Sequence, residues 1–151
     1  MIRAMAGSDA ADVAALIRTA FEALSVALDP PPSALRETGG SVLDHLAAGG
    51  GAVFDSAGIA GCVLWRVEAG GLYVCRLAVA PGRRREGIAR HLLRAAEAEA
   101  RQQGQPRLHV GVRLALNGNR RLFAAAGYVE GTHRTHEGCT TPTWVEAEKL
   151  L

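Results

Sequence analysis

The run Arg83-Arg84-Arg85-Glu86-Gly87-Ile88-Ala89 sets three guanidinium groups beside a glycine and a small residue. Arginine suits oxyanions because its planar fork of donors matches phosphate geometry. Gly87 lets the main chain come close to a ligand, and small Ala89 does not block it. The chemistry these residues point to is binding of a phosphate or pyrophosphate. Other reactive side chains are scattered: Tyr73, Cys75, His109, and the neighbours His133, His136 and Glu137. An acyl-Cys75 intermediate would need a thiol with a lowered pKa. Cys62, Cys75 and Cys139 lack the spacing of a metal site or a redox pair, and no metal is expected.

The elements around the arginine loop can be read directly. Residues 72–79 are rich in β-branched and aromatic types and predict a strand. Pro81 and Gly82 stop it. Beyond the loop, Ile88, Leu92, Ala95 and Ala96 form one stripe of a helix, with Arg90, Arg94, Glu97 and Arg101 opposite. Strand, loop, helix in that order aims free N–H groups and a positive dipole end into the loop. Three arginines at a positive dipole end are unfavourable as a merely solvated turn, and a bound anion resolves that conflict. A Walker loop is excluded because the loop has no lysine, and a dinucleotide fingerprint because only Gly87 is available.

The rest of the chain must position this site. Its 151 residues, 48% hydrophobic and 21% charged, fit one globular domain over residues 1–151. A net charge of +2 is too small to argue for nucleic acid or a membrane surface. No apolar run is long enough to span a bilayer, so a cytoplasmic location is expected. Residues 2–5 read as a first strand. Ser8 or Asp9 should cap a helix carrying Val13, Leu16, Ile17, Ala20 and Leu24, which must end before Pro30. A second helical region over 33–48 is broken by Gly39 and Gly40 and restarted by Ser41, with Leu43, Leu46 and Ala47 as its buried edge. It reads equally as a substrate-side lid or a connector. Strands at 52–54, 59–68 and 72–79 form an antiparallel meander. Residues 107–112 read as a further strand, and the helix that joins Leu77 to Val110 is then a right-handed crossover between parallel neighbours. By alternation Tyr73 and Cys75 share a face with Leu77, and His109 shares one with Gly111 and Arg113. A short helix bears Arg120, Leu122, Phe123 and Ala126 and ends at Gly127. Strands at 128–135 and 143–150 close the chain, and Trp65 and Trp144 read as core or pocket-wall aromatics.

Two longer motifs frame the loop: Leu77-Ala78-Val79-Ala80-Pro81 before it and Asn119-Arg120-Arg121-Leu122-Phe123-Ala124-Ala125-Ala126-Gly127-Tyr128 after it. With the central Arg-x-x-Gly-x-Ala of residues 84–89, the chain resembles the GNAT superfamily of acyl-CoA-dependent N-acyltransferases, and the order of elements agrees over nearly all of it. The resemblance implies an α/β (α+β) fold, with a mixed, mostly antiparallel sheet and helices on both faces. It also implies acetyl-CoA as cosubstrate. Backbone groups of Leu77 and Val79, with Ala78 between them, would bond the thioester carbonyl and pantetheine arm. Arg84 and the N–H groups of Arg85, Glu86, Gly87, Ile88, Ala89 and Arg90 would hold the pyrophosphate. Asn119, or alternatively Asn117, would touch pantetheine, with Phe123 beside it. Two positions depart from the family. Phe123 stands where a tyrosine often protonates the departing thiolate, and Gly111 where some members carry a glutamate base.

The implied activity is transfer of an acetyl group to a primary amine of a small molecule or peptide, by direct attack in a ternary complex. The alternative is a non-catalytic acyl-CoA-binding sensor or interaction module. Tyr73 and His109 are the side-chain candidates for catalysis. Residues 24–48 and the loop around His136 would shape the acceptor pocket. A homodimer through the last strands is left open, and no nucleic-acid or membrane partner is expected.

Overall fold

A strand buried on both faces needs cover on both sides, and residues 60–65 are buried without interruption. The computed structural model describes all of residues 1–151 and shows that cover as two helical layers. The elements in chain order are β1 (Ile2–Ala4), α1 (Ala10–Glu22), α2 (Gly39–Ala48), β2 (Gly50–Asp55), β3 (Ile59–Glu68) and β4 (Gly71–Val79), then α3 (Ile88–Gln102), β5 (Arg107–Arg113), α4 (Asn117–Ala125), β6 (Val129–Arg134) and β7 (Trp144–Leu150). One seven-stranded sheet runs β1-β2-β3-β4-β5-β7-β6. It is antiparallel except where β4 meets β5. Val13, Ile17 and Val42 of α1 and α2 pack on Val53, Cys62 and Leu64 on one face. Ile88, Leu92 and Ala96 of α3 and Phe123 of α4 pack on Val63, Leu72, Val74 and Leu108 on the other. This is the mixed sheet with helices on both faces that the resemblance implies.

The decisive irregularity is in β4. Leu64 pairs with Cys75 and Cys62 with Ala78, so three steps along β4 match two along β3. At this bulge Arg76 has a φ of 53°, a left-handed conformation that costs a non-glycine residue about 1 kcal/mol. A bulge bends its strand and increases its twist. β5 accompanies β4 only at Leu72–Leu108 and Tyr73–His109, and beyond that the two strands part. Leu77 and Val110 both line the open fork that results. The bulge also exchanges faces. Cys75 and Ala78 pack toward α1, whereas Leu77 and Val79 pack toward α3, so simple alternation from Tyr73 and Cys75 to Leu77 fails.

The Arg76 side chain is tied to the segment between α1 and α2. Its Nε donates to Glu37 Oε2 at 2.5 Å and its Nη2 to Ser33 Oγ at 2.9 Å. Glu37, only 4% exposed, also accepts from Ser41 Oγ at 2.5 Å and lies 3.3 Å from His45 Nε2. Arg18 donates to the Glu37 carbonyl at 2.6 Å. The region 33–48 is thus a 3-10 turn (Ser33–Arg36) followed by α2, clamped onto the sheet through Arg76.

Three local expectations change. Neither Ser8 nor Asp9 caps α1 with its side chain; the Asp9 carboxylate reaches back to the Ala6 N–H at 2.8 Å and pairs with Arg3. Thr38 caps α2, exchanging hydrogen bonds with Ser41. Val42 is the residue α2 buries, while Leu43 is 47% exposed and Ala47 is exposed, because the helix starts at Gly39 and its inward face is rotated accordingly.

Burial by itself would raise the Glu37 pKa, but the hydrogen bonds from Ser41 and Arg76 outweigh it and hold the carboxyl below its ordinary value of 4.5. The charged form then stabilises the fold above that ordinary value, and the contribution fades as pH falls through the lowered one. Glu37→Gln should cost about 3 kcal/mol at pH 7, because it leaves Arg76 without its counter-charge. Denaturant titrations of both proteins should show this gap narrowing below pH 4.5; a gap independent of pH would rule out the charged pair as its source.

Candidate active site

The fork between β4 and β5 opens into one continuous cleft made of three joined cavities. The widest, about 380 Å³, lies between the parted strands. Tyr73, Cys75 and Leu77 of β4 form one wall and Gly111 and Arg113 of β5 the other, with Asn119 and Phe123 of α4, His136 and Trp144 beside them. Phe21 of α1 and Leu28, Pro32 and Ser33 of the following segment form its roof. A narrower stretch of about 240 Å³ shares Phe21, Leu77, Asn119 and Phe123 with it and runs along Ala78 and Val79 to Arg84 and Ala89. The third, about 360 Å³, continues over Val79, Arg84, Arg85, Gly87, Ile88, Ala89 and Arg90.

The arginine loop has the geometry of an anion cradle. Arg85 and Gly87 both sit in the left-handed region, at φ 66° and 80°, which turns successive N–H groups inward as a nest. Gly87 is the N-cap of α3, no side chain caps that end, and the first turn holds no acidic residue. The leading amides of α3 are therefore open to a ligand. Arg83 is occupied by Glu86 at 3.0 Å, and Arg84 donates to the Ala20 carbonyl at 3.3 Å. Arg85 and Arg90 are exposed on the loop and the first turn.

Of the twelve residues singled out for the cofactor, Leu77, Ala78, Val79, Arg84, Arg85, Gly87, Ile88, Ala89, Arg90, Asn119 and Phe123 all line this cleft. Glu86 does not; its carboxylate is turned onto Arg83. Asn119 lines the cleft and Asn117 does not. The roof residues Phe21 and Leu28 carry no sequence signal of their own, because only the bulge reveals that β4 leaves a gap beneath them.

The catalytic candidates separate. Tyr73 borders the cleft, but its ring lies 5.2 Å from His109 and 4.8 Å under Arg66, and burial raises its phenol pKa. His109 lines a neighbouring groove on the uncovered sheet face instead, donating from Nε2 to the Glu68 carbonyl at 2.7 Å. Cys75 is pushed up to about 11 by burial, so it is a neutral thiol and a poor nucleophile. Phe123, 6% exposed, meets Tyr128 edge-on at 5.3 Å. The Tyr128 hydroxyl is buried without a partner, and the residue borders a separate cavity with Glu97 and Lys149, so it does not replace the missing acid. At Gly111 an added Cβ would lie 3.1 Å from the Trp144 ring. The tryptophan occupies the space a base at that position would use.

Of the last group, His133 is exposed on β6 and Glu137 is exposed in the loop, whereas His136 lines the cleft. Thr143 Oγ1 accepts from the His136 backbone N–H at 3.0 Å and also meets the ring Nδ1. A hydroxyl can accept twice as well as donate, so the Thr143 contact fits either ring tautomer, and Nε2 has no protein partner. Burial and the Arg113 charge push the imidazole pKa down, so the ring is neutral at pH 7. Arg113 takes the face that alternation predicts and makes no side-chain hydrogen bond or ion pair of its own.

The sequence matches the acetyltransferase (GNAT) family over residues 15–128. The chain belongs to that family. Membership implies acyltransferase activity. Among curated proteins no sequence match is found. Solved structures share the fold. A GCN5-related N-acetyltransferase from Rhodopseudomonas palustris is 18% identical with a TM-score of 0.81, covering 100% of this chain and 95% of that one. The PaiA N-acetyltransferase of Thermoplasma acidophilum, solved with coenzyme A, is 16% identical with a TM-score of 0.80 over 100% and 98% of the two chains. YncA of Salmonella typhimurium, a putative acetyltransferase solved with acetyl-CoA, is 17% identical with a TM-score of 0.73 over 99% and 92%.

Nothing lies within 4 Å of a Cβ built on Gly87, although its φ of 80° strains any residue that carries one, at about 1 kcal/mol of stability. Gly87→Trp should keep the fold but weaken CoA binding by roughly tenfold or more, a change of at least 1.4 kcal/mol. Calorimetric titration checks this, with circular dichroism as the control for folding. Unchanged affinity in the folded variant would remove the pyrophosphate from this loop.

Proposed function

We propose that the chain is a one-domain N-acetyltransferase that moves an acetyl group from acetyl-CoA to a primary amine by direct attack. The observation that carries this reading is the unbroken cleft from the arginine loop, along Leu77, Ala78 and Val79, to the fork. In it the pyrophosphate lies on the amides after Gly87, flanked by Arg84, Arg85 and Arg90. The pantetheine arm follows β4 beneath Phe21 and beside Asn119, and the thioester reaches the fork near Leu77. β4 has no β5 ladder beyond Tyr73, so its main-chain groups on that side are free to bond the arm and the acyl carbonyl. A backbone N–H at Leu77 would stabilise the oxyanion that forms as the amine attacks. Positioning supplies most of the acceleration in such a site, since both reactants are held in line.

Phe123 favours a second reading, a CoA-binding module without turnover, because no proton donor stands at its position. The exposed edge strand β6 is where a second copy would add if the protein dimerises. Membrane spanning by a helix is not an option, since no helix is long and apolar enough.

Wild type and Phe123→Tyr separate the two readings. Bound acetyl-CoA should be turned over with an amine panel by wild type, and the tyrosine variant should gain up to roughly tenfold in kcat if thiolate protonation limits the rate. Tight CoA binding without turnover in wild type, rescued by tyrosine, would establish the module reading instead. Absence of CoA binding would sink both.

A further inference from the structure

Arg113 stands out among the arginines of this chain. Arg36, Arg85, Arg90, Arg94 and Arg121 also lack a side-chain partner, but each is exposed to water. Arg113 is half-buried, lines the fork cavity, and is costly to keep charged there, burial lowering its pKa. Asp29 and Cys139 are the nearest groups that favour its charge, and neither is within bonding distance. The adjoining groove on the uncovered sheet face gives the contrast. It carries Glu68, Glu130, Glu146 and Glu148, yet each of these is already paired, with Arg66, Arg120, Arg134 and Arg107 respectively. The unspent charge of the acceptor region is positive and sits inside the cavity.

Its position relative to the chemistry follows from register. Tyr73 is level with His109 where β4 and β5 pair. Four residues further along β5, after the strands have parted, Arg113 lines the same fork cavity as Leu77 of β4. His136 lines the same cavity, with its Nδ1 against Thr143 and its Nε2 without a protein partner. The remaining walls are apolar or aromatic: Phe21, Leu28, Pro32 and Trp144.

We propose that the acceptor is a free aminocarboxylate of amino-acid size, its carboxylate held by Arg113 and His136 opposite the acyl group carried along Leu77. The proposal rests on the acetyl-transfer reading. A carboxylate supplies the bidentate partner a guanidinium fork lacks here. The cavity of about 380 Å³ admits a small molecule, and an amine separated from that carboxylate by one or two carbons faces the thioester. In the reaction the ammonium loses one proton to water, and the nitrogen lone pair forms the C–N bond. The C–S bond then breaks with its electron pair on sulfur. The second nitrogen proton ends on sulfur, giving the N-acetyl product and CoA thiol.

The test measures acetyl-CoA-dependent CoA release with the twenty proteinogenic amino acids and their carboxamides, for wild type and Arg113→Gln. Tryptophan fluorescence reports binding to the CoA-loaded protein through Trp144, which lines the cavity, with Trp144→Phe as the control for the signal of Trp65. At least one amino acid should be acetylated or bound, with kcat/KM or affinity roughly 10- to 100-fold above its amide, the loss expected when a charged partner is removed. The amide amine is less basic and so more often neutral, which works against this preference and makes it the stricter comparison. Arg113→Gln should collapse the acid-to-amide ratio mainly through KM, while CoA affinity and the circular dichroism spectrum stay as in wild type. Equal treatment of acid and amide by wild type, survival of the ratio in the variant, or no amino acid acetylated or bound would overturn the proposal. Turnover of plain amines alone would overturn it while leaving acetyl transfer intact, whereas loss of CoA binding in wild type would remove the underlying reading too.

Discussion

Once β5 leaves β4 after Tyr73, the main-chain groups of residues 74–79 on that side have no strand to bond. In a closed sheet such a gap would be a defect, because unpaired backbone polar groups are costly wherever water is excluded. Here the gap is the cleft, and every cavity that joins it is walled by one of the two parted strands or by an element leaning over them. The separation also sets the two layers their tasks. α3 carries the anion-binding end at its first turn, and α1 with its following segment roofs the fork.

The parting is kept by a polar device at the bulge. Arg76 holds a left-handed backbone that a glycine would adopt more readily, and its side chain gives the reason for an arginine instead. It fastens Ser33 and Glu37 to the sheet, so the same residue that bends β4 also fixes the segment leading to α2. A buried carboxylate of this kind contributes only while its partners remain. Glu37 has them in Ser41 and Arg76, with His45 close by.

Much of this was legible in the residues. The meander, the main helix and the arginine loop follow from alternation, a 3.6-residue stripe and a glycine at a helix start, all of them local signals. Eleven of the twelve residues that the motifs single out for the cofactor line the cleft, and the Glu86 side chain is turned onto Arg83 next to it. What could not be read depended on one uncounted residue. Alternation has no way to signal a bulge from sequence, so the face of Leu77 relative to Cys75 is not legible. The acceptor wall was legible as residues 24–48 and the loop around His136, but the part Arg113 takes in it was not. Leu28, Arg113, His136 and Trp144 come from four separate segments and meet only after the strands have parted.

Arg76 also shows that this site depends on counting as much as on chemistry. Deleting Arg76 would let β3 and β4 zip without interruption, with Leu77 opposite Val63 and the bend gone. No motif residue would have changed, yet the strand that carries the donor would be ironed flat. Length variation in β4 is therefore a more drastic alteration than most substitutions in it. An insertion or deletion there rewrites the architecture, whereas a point change merely edits the lining.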